Sequence, residues 1–280
     1  MKTIINNRNY AERMEKLVIG MRNNVITFFL PYSSDAKYNF LCMDFKKPIK
    51  LHNLVFSNSL SLYGYMYSLW RGNSVLMDYF SNNDDILKVK KKINESAAND
   101  AEWLEKWCYI AVKISQFYKF LSSSPSMENL LSSTGNMYIA YCNPMDRILG
   151  TFTTRVQASR KISCAMIEGK NVLGNSIMEV RDIIRSRKTM KWFPNAECKK
   201  ESSIMVTNVS HSNLFLAWIE VVMAEFCIID SMYHIEVIAG NDGLSYSCIK
   251  IKCDFSDFDG EEVYKKIISR IGLYPDIKFM

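Results

Sequence analysis

The chain has 280 residues, of which 48% are hydrophobic and 23% are charged. These fractions are close to the average of soluble globular proteins, so they exclude a largely disordered chain, and the length is sufficient for one large or two small domains. The formal net charge of +6 favours weak contact with phosphates, but it is well below the charge of a dedicated nucleic-acid-binding protein.

The cysteines and the hydrophobic stretches indicate the compartment. None of the eight cysteines stands in a C-x-x-C pair, and the chain has three histidines. This argues against a zinc site and a disulfide framework and predicts a reducing compartment, the cytoplasm or the nucleus. The first residues lack the apolar core of a signal peptide, and residues 214–229 are too short and too charged to span a bilayer, so we expect no membrane contact. The abundance of Asn, Lys, Ile and Ser is typical of AT-rich coding genomes, including those of many insect viruses.

The first third of the chain predicts a mixture of helix and strand. Residues 9–20 have the pattern of a short helix, and "NVITFFLPYSS" predicts a strand that ends at Pro31. Residues 54–70 carry apolar side chains at helical spacing and predict a buried helix. Gly64 within that helix costs about 1 kcal/mol relative to alanine, which indicates a close approach by another part of the chain.

The clearest helical pattern lies near the centre of the chain. Asn99 or Asp100 is suited to cap a helix whose apolar positions, from Trp103 to Leu121, recur every three or four residues. A short helix capped by Ser126 follows, then a strand at "MYIAYC" and a helix over residues 177–187. We interpret the first of these helices as the central helix of the core.

The composition changes near residues 190–200. Beyond this point "SSIMVTNVS" predicts a strand, residues 214–229 a helix, "YHIEVIAGNDGLSYSCIKIKC" a hairpin and "GEEVYKKIISRIG" a closing helix. The sequence therefore predicts an α+β protein, with a mainly helical domain over residues 20–190 and an appended small αβ module over residues 195–280.

Four motifs in the middle third of the chain occur in the order found in a known family. They are a helix that begins near Trp103 and contains "AVKISQFYKF", then "ENLLSSTG", "YCNPMDRILG" and "GKNVLGNSIMEVRDIIR". They resemble the Trp-led helix ending in K-F, the L-L-x-T-G step, the D-x-x-W-G turn and the G-x-N-x-L-G-x-x-L-M-x-x-R segment of the NADAR family of YbiA-like domains. "ITFF" and "KYNF" look like that family's opening strand and F-S-N-F turn.

The resemblance implies cleavage of an N-glycosidic bond, on riboflavin-pathway intermediates or on ADP-ribosylated guanine in DNA or RNA. Such a reaction passes through an oxocarbenium-like state, so it requires a carboxylate and a group that holds the leaving base. We expect no cofactor and no metal ion.

The chain departs from the family pattern where that chemistry would stand. The family's acidic helix, E-H-x-x-Q-x-x-K, falls within residues 56–68, which contain no Glu, His, Gln or Lys. Its acidic, histidine and lysine positions fall near Leu60, Ser61 and Tyr67. In the later turn Leu149 replaces the family's Trp and Tyr141 replaces a Glu. These departures predict a catalytically inactive descendant, a pseudoenzyme, rather than a live enzyme.

The residues that survive suggest a site. If catalysis persists, a displaced acid has taken over the role, and the candidates are Asp146, Glu168 and Glu179. Five residues at or near the helix that follows Gly169 are candidates for binding a phosphate or a ribose, through backbone N–H groups or through a guanidinium. They are Gly150, Gly169, Asn171, Gly174 and Arg181. The alternative is structural: the glycines and the Asn form a turn and a cap, and Arg181 pairs with Asp146 or with a helix terminus.

Three hypotheses of function stay open. In the first, the chain is a diverged family member without glycosidase activity that acts as a structural or interaction protein, by self-assembly or with a protein partner, or that binds an ADP-ribose-like nucleotide. In the second, it is an active N-glycosidase. In the third, it binds nucleic acid weakly through Lys88 to Lys92 and a basic insertion at residues 155–161.

Overall fold

The boundaries of the helices and strands follow from local caps and from strand pairing. A computed structural model of the chain describes residues 25–29, 36–121, 125–160, 167–189, 201–209, 212–225, 233–239, 246–254 and 277–279. The predicted helix over residues 9–20, the hairpin turn at "GNDG" and the closing helix at "GEEVYKKIISRIG" lie outside these residues.

The fold is α+β, as predicted. The helices are α1 (Ser59–Arg71), α2 (Ser74–Asn82), α3 (Ile86–Glu95), α4 (Cys108–Leu121), α5 (Pro125–Ser132), α6 (Arg155–Arg160), α7 (Val172–Thr189) and α8 (Ser212–Glu225). The strands are β1 (Val25–Phe28), β2 (Ile49–Leu51), β3 (Leu54–Phe56), β4 (Tyr138–Tyr141), β5 (Glu201–Val209), β6 (Tyr233–Ala239), β7 (Tyr246–Asp254) and β8 (Ile277–Phe279). Short 3-10 segments occupy Ala36–Leu41 and Ala97–Asn99, and a π-helical turn at Trp103–Trp107 leads into α4.

The central helix α4 lies where the sequence predicts it. Asp100 caps the helical segment that leads into it, because the carboxylate oxygen Oδ1 accepts a hydrogen bond from the Trp103 N–H at 3.1 Å and the Asp100 carbonyl accepts one from the Leu104 N–H at 2.9 Å. Almost every residue of α4 is buried. Helices α1, α5, α7 and α8 all pack against it, so α4 forms the axis of the core.

The helix predicted over residues 54–70 begins later than expected. Leu54–Phe56 forms β3, which pairs antiparallel with β2. Asn58 then caps α1 by accepting the Ser61 N–H at 2.9 Å. Strand pairing therefore prevails over helical spacing before the cap. The expectation for Gly64 is confirmed, since a Cβ there would lie 2.5 Å from the ring of Phe80 in α2.

Two further helices begin at other residues than predicted. Helix α5 starts at Pro125, so Ser126 lies in its first turn rather than at its cap; proline suits this position because it has no N–H to leave unbonded. Helix α7 starts at Val172 rather than at residue 177, which places Gly174 inside its first turn. The residue before α7, Asn171, has a positive φ of 49° and marks the turn into the helix.

Besides the β2–β3 pair, the described strands form two further sheets. Strands β1 and β4 pair in parallel, and α7 packs against β4. The C-terminal strands form an antiparallel sheet in the order β6–β7–β5–β8, in which β8 was not anticipated. Helix α8 belongs to the same hydrophobic core as α1, α4 and α7. The division into domains at residues 190–200 stays a prediction, but this core is shared across that boundary.

Candidate active site

The three positions of α1 singled out by the resemblance are packed into the protein. Leu60 is half-buried against the hydrophobic core. Ser61 is buried, and its hydroxyl donates to Asn58 Oδ1 at 3.3 Å. Tyr67 is buried, and its hydroxyl donates to Asp100 Oδ2 at 3.2 Å. These side chains contribute packing and internal hydrogen bonds rather than an acid and a base.

One turn along α1, the Tyr63 hydroxyl belongs to a buried network of polar side chains. Trp103 Nε1 donates to the Tyr63 hydroxyl at 2.8 Å, and that hydroxyl lies 3.5 Å from Cys108 Sγ. Burial raises the pKa of Tyr63 well above its usual value and that of the Cys108 thiol to about 12. A thiol with such a pKa stays protonated at neutral pH, so Cys108 is a poor nucleophile.

Asp146 lies in the turn that follows β4. Its Oδ1 accepts hydrogen bonds from the amides of Ile148 at 2.9 Å and Leu149 at 2.8 Å, and the side chain is half-buried. Burial raises the pKa of Tyr141, and the charge of Asp146 raises it further; the same charge acts on Tyr63. The charge of Asp146 therefore acts on the buried phenol of Tyr63 and on the half-buried phenol of Tyr141.

The side chain of Asn171 connects the start of α7 to strand β4 by hydrogen bonds. Its Oδ1 accepts the Tyr141 N–H at 3.0 Å, and its Nδ2 donates to the Ile139 carbonyl at 2.8 Å and to the Tyr138 hydroxyl at 2.9 Å. The side chain is 1% exposed. All of its amide atoms are thus used within the chain, as the structural alternative predicts.

The amides at the start of α7 also have partners. The consecutive N–H groups of residues 170–173 donate to the carbonyls of residues 147–150: Lys170 to Arg147 at 2.7 Å, Asn171 to Gly150 at 3.0 Å, Val172 to Ile148 at 3.0 Å and Leu173 to Leu149 at 3.1 Å. A phosphate at this helix start would have to displace these bonds. Nucleotide binding at this helix start stays a prediction, and these backbone N–H groups do not support it.

Two of the predicted glycines lie where these segments cross. A Cβ on Gly169 would overlap the Gly150 carbonyl oxygen. A Cβ on Gly150 would lie 3.0 Å from the Asp146 carbonyl oxygen and 3.1 Å from that of Tyr141. Close backbone approach therefore accounts for glycine at both positions.

Arg181 lies in the core rather than at the helix start. The side chain is 4% exposed, and Nη1 donates to Thr134 Oγ1 at 3.0 Å and to the Met137 carbonyl at 2.8 Å. Burial lowers its pKa to about 10. The guanidinium holds the loop between α5 and β4, so the expectation that it pairs with Asp146 is wrong.

The two candidate glutamates stand in different surroundings. Glu168 is exposed. Glu179 accepts a hydrogen bond from the Tyr109 hydroxyl and lies 2.6 Å from Lys113 Nζ. Lys113 was not singled out in the sequence, although a lysine inside the apolar run "YIAVKISQF" of a buried helix needs a counter-charge or a hydrogen-bond acceptor. Glu179 is therefore engaged in an ion pair.

The part of the chain that the structure describes holds neither a group of metal-binding side chains nor a membrane-spanning helix. Within those residues no three His, Cys, Asp or Glu side chains are grouped so as to hold a metal ion. None of the helices described there is long and apolar enough to cross a membrane.

Comparison with known proteins identifies the family. The family model of the NADAR domain matches residues 29–185, more than half of the chain. This chain belongs to the NADAR domain family. The NMR structure of the E. coli protein YbiA is similar, at 15% sequence identity, over 63% of this chain and 94% of YbiA with a TM-score of 0.49. No curated protein matches the chain.

The NADAR match includes every candidate site residue and ends within α7. Helix α8 and the C-terminal sheet lie beyond it. Gly150, Gly169, Asn171 and Gly174, which the resemblance singled out, each have a structural reason in this fold. Helix α1 contains no Glu, His, Gln or Lys.

A second buried lysine of α4 lies within the NADAR match, at the end of the helix in the motif "AVKISQFYKF". Lys119 is fully buried, and its Nζ donates to the Cys42 carbonyl at 2.6 Å beside the rings of Phe45 and Phe120. Burial lowers its pKa to about 7. This side chain is a structural donor that is only partly charged at neutral pH.

We expect the wild-type protein to gain stability relative to Lys119→Met as the pH rises from about 7 to about 9. The folded-state pKa lies below that of an exposed lysine, so the unfolded chain binds more protons in this window, and the free energy of unfolding rises with pH. Above about 9 the buried thiols lower the stability of both proteins, because burial raises the pKa of Cys42 to about 12, so the comparison is made below that pH. Urea titrations at several pH values measure the difference. Lys46→Met, at an exposed position, is the control, and parallel curves for the wild type and Lys119→Met would contradict the prediction.

The lysines of α3 do not form an unopposed basic surface. Each of the four lies close to a carboxylate: Lys88 to Asp85 at 3.6 Å, Lys91 to Glu95 at 3.9 Å, Lys92 to Glu95 at 3.8 Å, and Lys90 to Asp44 in a closer pair. These acids reduce the local positive field that phosphates would meet. Nucleic-acid binding by this helix stays a prediction.

Proposed function

We propose that this NADAR-family chain does not hydrolyse N-glycosidic bonds and that it serves as a structural or interaction protein. The proposal rests on the side chains that helix α1 carries. Its positions near Leu60, Ser61 and Tyr67 hold packed or internally bonded side chains in place of the family's Glu, His and Lys. An oxocarbenium-like state would meet no carboxylate there.

The remaining carboxylates are also poorly suited to replace the lost acid. One oxygen of Asp146 accepts two backbone amides. Glu179 is held by Lys113 and Tyr109. Glu168 is exposed, whereas a general acid in a glycosidase is usually raised in pKa by a partly apolar site. We infer that none of the three is positioned for general acid or base catalysis.

A second candidate function is the binding of an ADP-ribose-like nucleotide without turnover. Arg147 and Lys170 are exposed, and their backbones are joined by the bond from the Lys170 N–H to the Arg147 carbonyl at 2.7 Å. The Arg147 guanidinium lies 4.1 Å from the ring centre of Phe152, which preorients it. Two cations at neighbouring backbone positions would suit a pyrophosphate.

Turnover tests the first proposal. The purified full-length chain is incubated with ADP-ribosylated guanine oligonucleotides and with riboflavin-pathway N-glycosides, and released base is measured by mass spectrometry. We expect no release above the uncatalysed rate, while a NADAR protein that has the E-H-x-x-Q-x-x-K helix serves as the positive control. Release that disappears in Asp146→Asn would overturn the proposal; this variant keeps the Oδ1 that accepts the two amides.

Thermal unfolding separates the two candidate functions. A ligand at 100 times its dissociation constant adds about 2.7 kcal/mol to the free energy of unfolding. For a structural role we expect no change in melting temperature with millimolar ADP-ribose. A rise in melting temperature that is lost in Arg147→Ala and Lys170→Ala, and kept in Lys46→Ala, would instead establish nucleotide binding at this turn.

A further inference from the structure

Helix α8 lies outside the residues matched by the NADAR model, yet it is enclosed by the domain that they form. It packs against α1, α4 and α7. Seven of its residues are at most 6% exposed: Ala217, Trp218, Ile219, Val221, Val222, Met223 and Ala224. A helix that is apolar on all sides is typical of the interior of a protein rather than of an appended module.

A buried ion cluster joins this helix to the centre of the domain. Lys113 of α4 is 3% exposed, and its ammonium pairs with Glu225 at the last turn of α8 and with Glu179 of α7 at 2.6 Å. Glu225 is 8% exposed. The Trp218 ring lies 5.6 Å from Lys113 Nζ, so α8 supplies both a carboxylate and an aromatic face to the same cation.

The Lys113 ammonium is shared between two helices. Glu225 of α8 and Glu179 of α7 both pair with it, so removal of the lysine would leave two carboxylates without their cation. Glu179 is itself bound by the Tyr109 hydroxyl, so three helices contribute to one polar centre inside an apolar wall. At the other side of α8, Glu220 lies 4.0 Å from His52 in the turn between β2 and β3. These contacts fix the position of α8 along the domain.

We propose that α8 is the built-in partner of the α1–α4–α7 face, anchored by Lys113, and that it folds with the NADAR domain as one cooperative unit. This face is therefore occupied by the chain's own segment at residues 212–225. This use of the face does not depend on the absence of glycosidase activity.

Hydrogen exchange of the full-length protein, followed by mass spectrometry, tests the proposal. In the wild type we expect residues 212–225 and residues 108–121 to exchange with similar protection, because helices of one cooperative unit open together. We expect Lys113→Met to lower the protection of both segments by about 100-fold and Glu225→Gln to lower it by about 10-fold. Lys106→Met is the matched control, since Lys106 pairs with Glu102 at the surface; there we expect less than about a threefold change.

The double variant Lys113→Met/Glu225→Gln distinguishes an anchor from general damage. If Lys113 anchors α8, Glu225→Gln will no longer lower the protection once Lys113 is methionine, because it then removes a carboxylate that has lost its cation. An equal effect of Glu225→Gln in both backgrounds would overturn the proposal. Exchange of residues 212–225 at the rate of an unprotected chain in the wild type would also overturn it. That measurement and Glu225→Gln alone are decisive even if Lys113→Met does not fold.

Discussion

Asp100→Ala is expected to lower the free energy of unfolding by about 3 kcal/mol. The carboxylate is 8% exposed and performs three tasks: Oδ1 caps the approach to α4 through the Trp103 N–H, and Oδ2 accepts the Tyr67 hydroxyl and pairs with Arg71. Its removal leaves a buried phenol and an amide without their acceptor. Urea unfolding followed by circular dichroism measures the loss.

Asp85→Ala provides the matched control for this effect. Asp85 caps α3 through the amides of Leu87 and Lys88, but it lies at the surface, so we expect a clearly smaller loss than at Asp100. A loss at Asp100 no larger than the loss at Asp85 would show that the buried network contributes little.

The stability provided by Asp100 should also depend on pH. Burial by itself raises the pKa of this carboxyl group, but the hydrogen bonds from Trp103, Arg71 and Tyr67 prevail, and the pKa is lowered. A lowered folded-state pKa gives stability that is present above the unfolded value and is lost as the pH falls through the folded one. The difference between wild type and Asp100→Ala should therefore shrink as the pH is lowered below about 4.

Gly174→Ala is expected to cost about 3 kcal/mol, as the second large effect. A Cβ at this position would overlap the Ile139 carbonyl oxygen of β4 and lie 2.6 Å from both amide atoms of Asn171. Helix α7 would have to move away from the strand, and the three hydrogen bonds of the Asn171 side chain would lengthen. Thermal and urea unfolding of the full-length protein measure the cost.

Gly135→Ala separates this close approach from the general effect of losing a glycine. Gly135 has a positive φ of 56°, and a Cβ there would meet nothing within 4 Å. We expect about 1 kcal/mol from backbone strain alone. Equal costs at the two positions would mean that α7 can shift away from β4 without penalty.

The sequence by itself determined the features that depend on near neighbours along the chain. The spacing from Trp103 to Leu121 and the cap at Asp100 predict the central helix, because periodicity and capping act within a few residues. The α+β class, the strand at β4 and the close approach at Gly64 follow in the same way. The family was also recognisable, since its motifs are short and occur in order.

Only the tertiary structure decided how the distant residues are used. The side chain of Asn171 binds residues 30 to 33 positions earlier, and Lys113 meets a carboxylate 112 positions later. Local pattern carries no information about such partners, so a phosphate or ribose, Asp146 and a helix terminus all stayed open for Arg181, which binds Thr134 and Met137. The sequence also predicts α8 as part of an appended module, and that division stays a prediction. The apolar residues of α8 specify that it must be buried, and the charge of Lys113 inside the core specifies where.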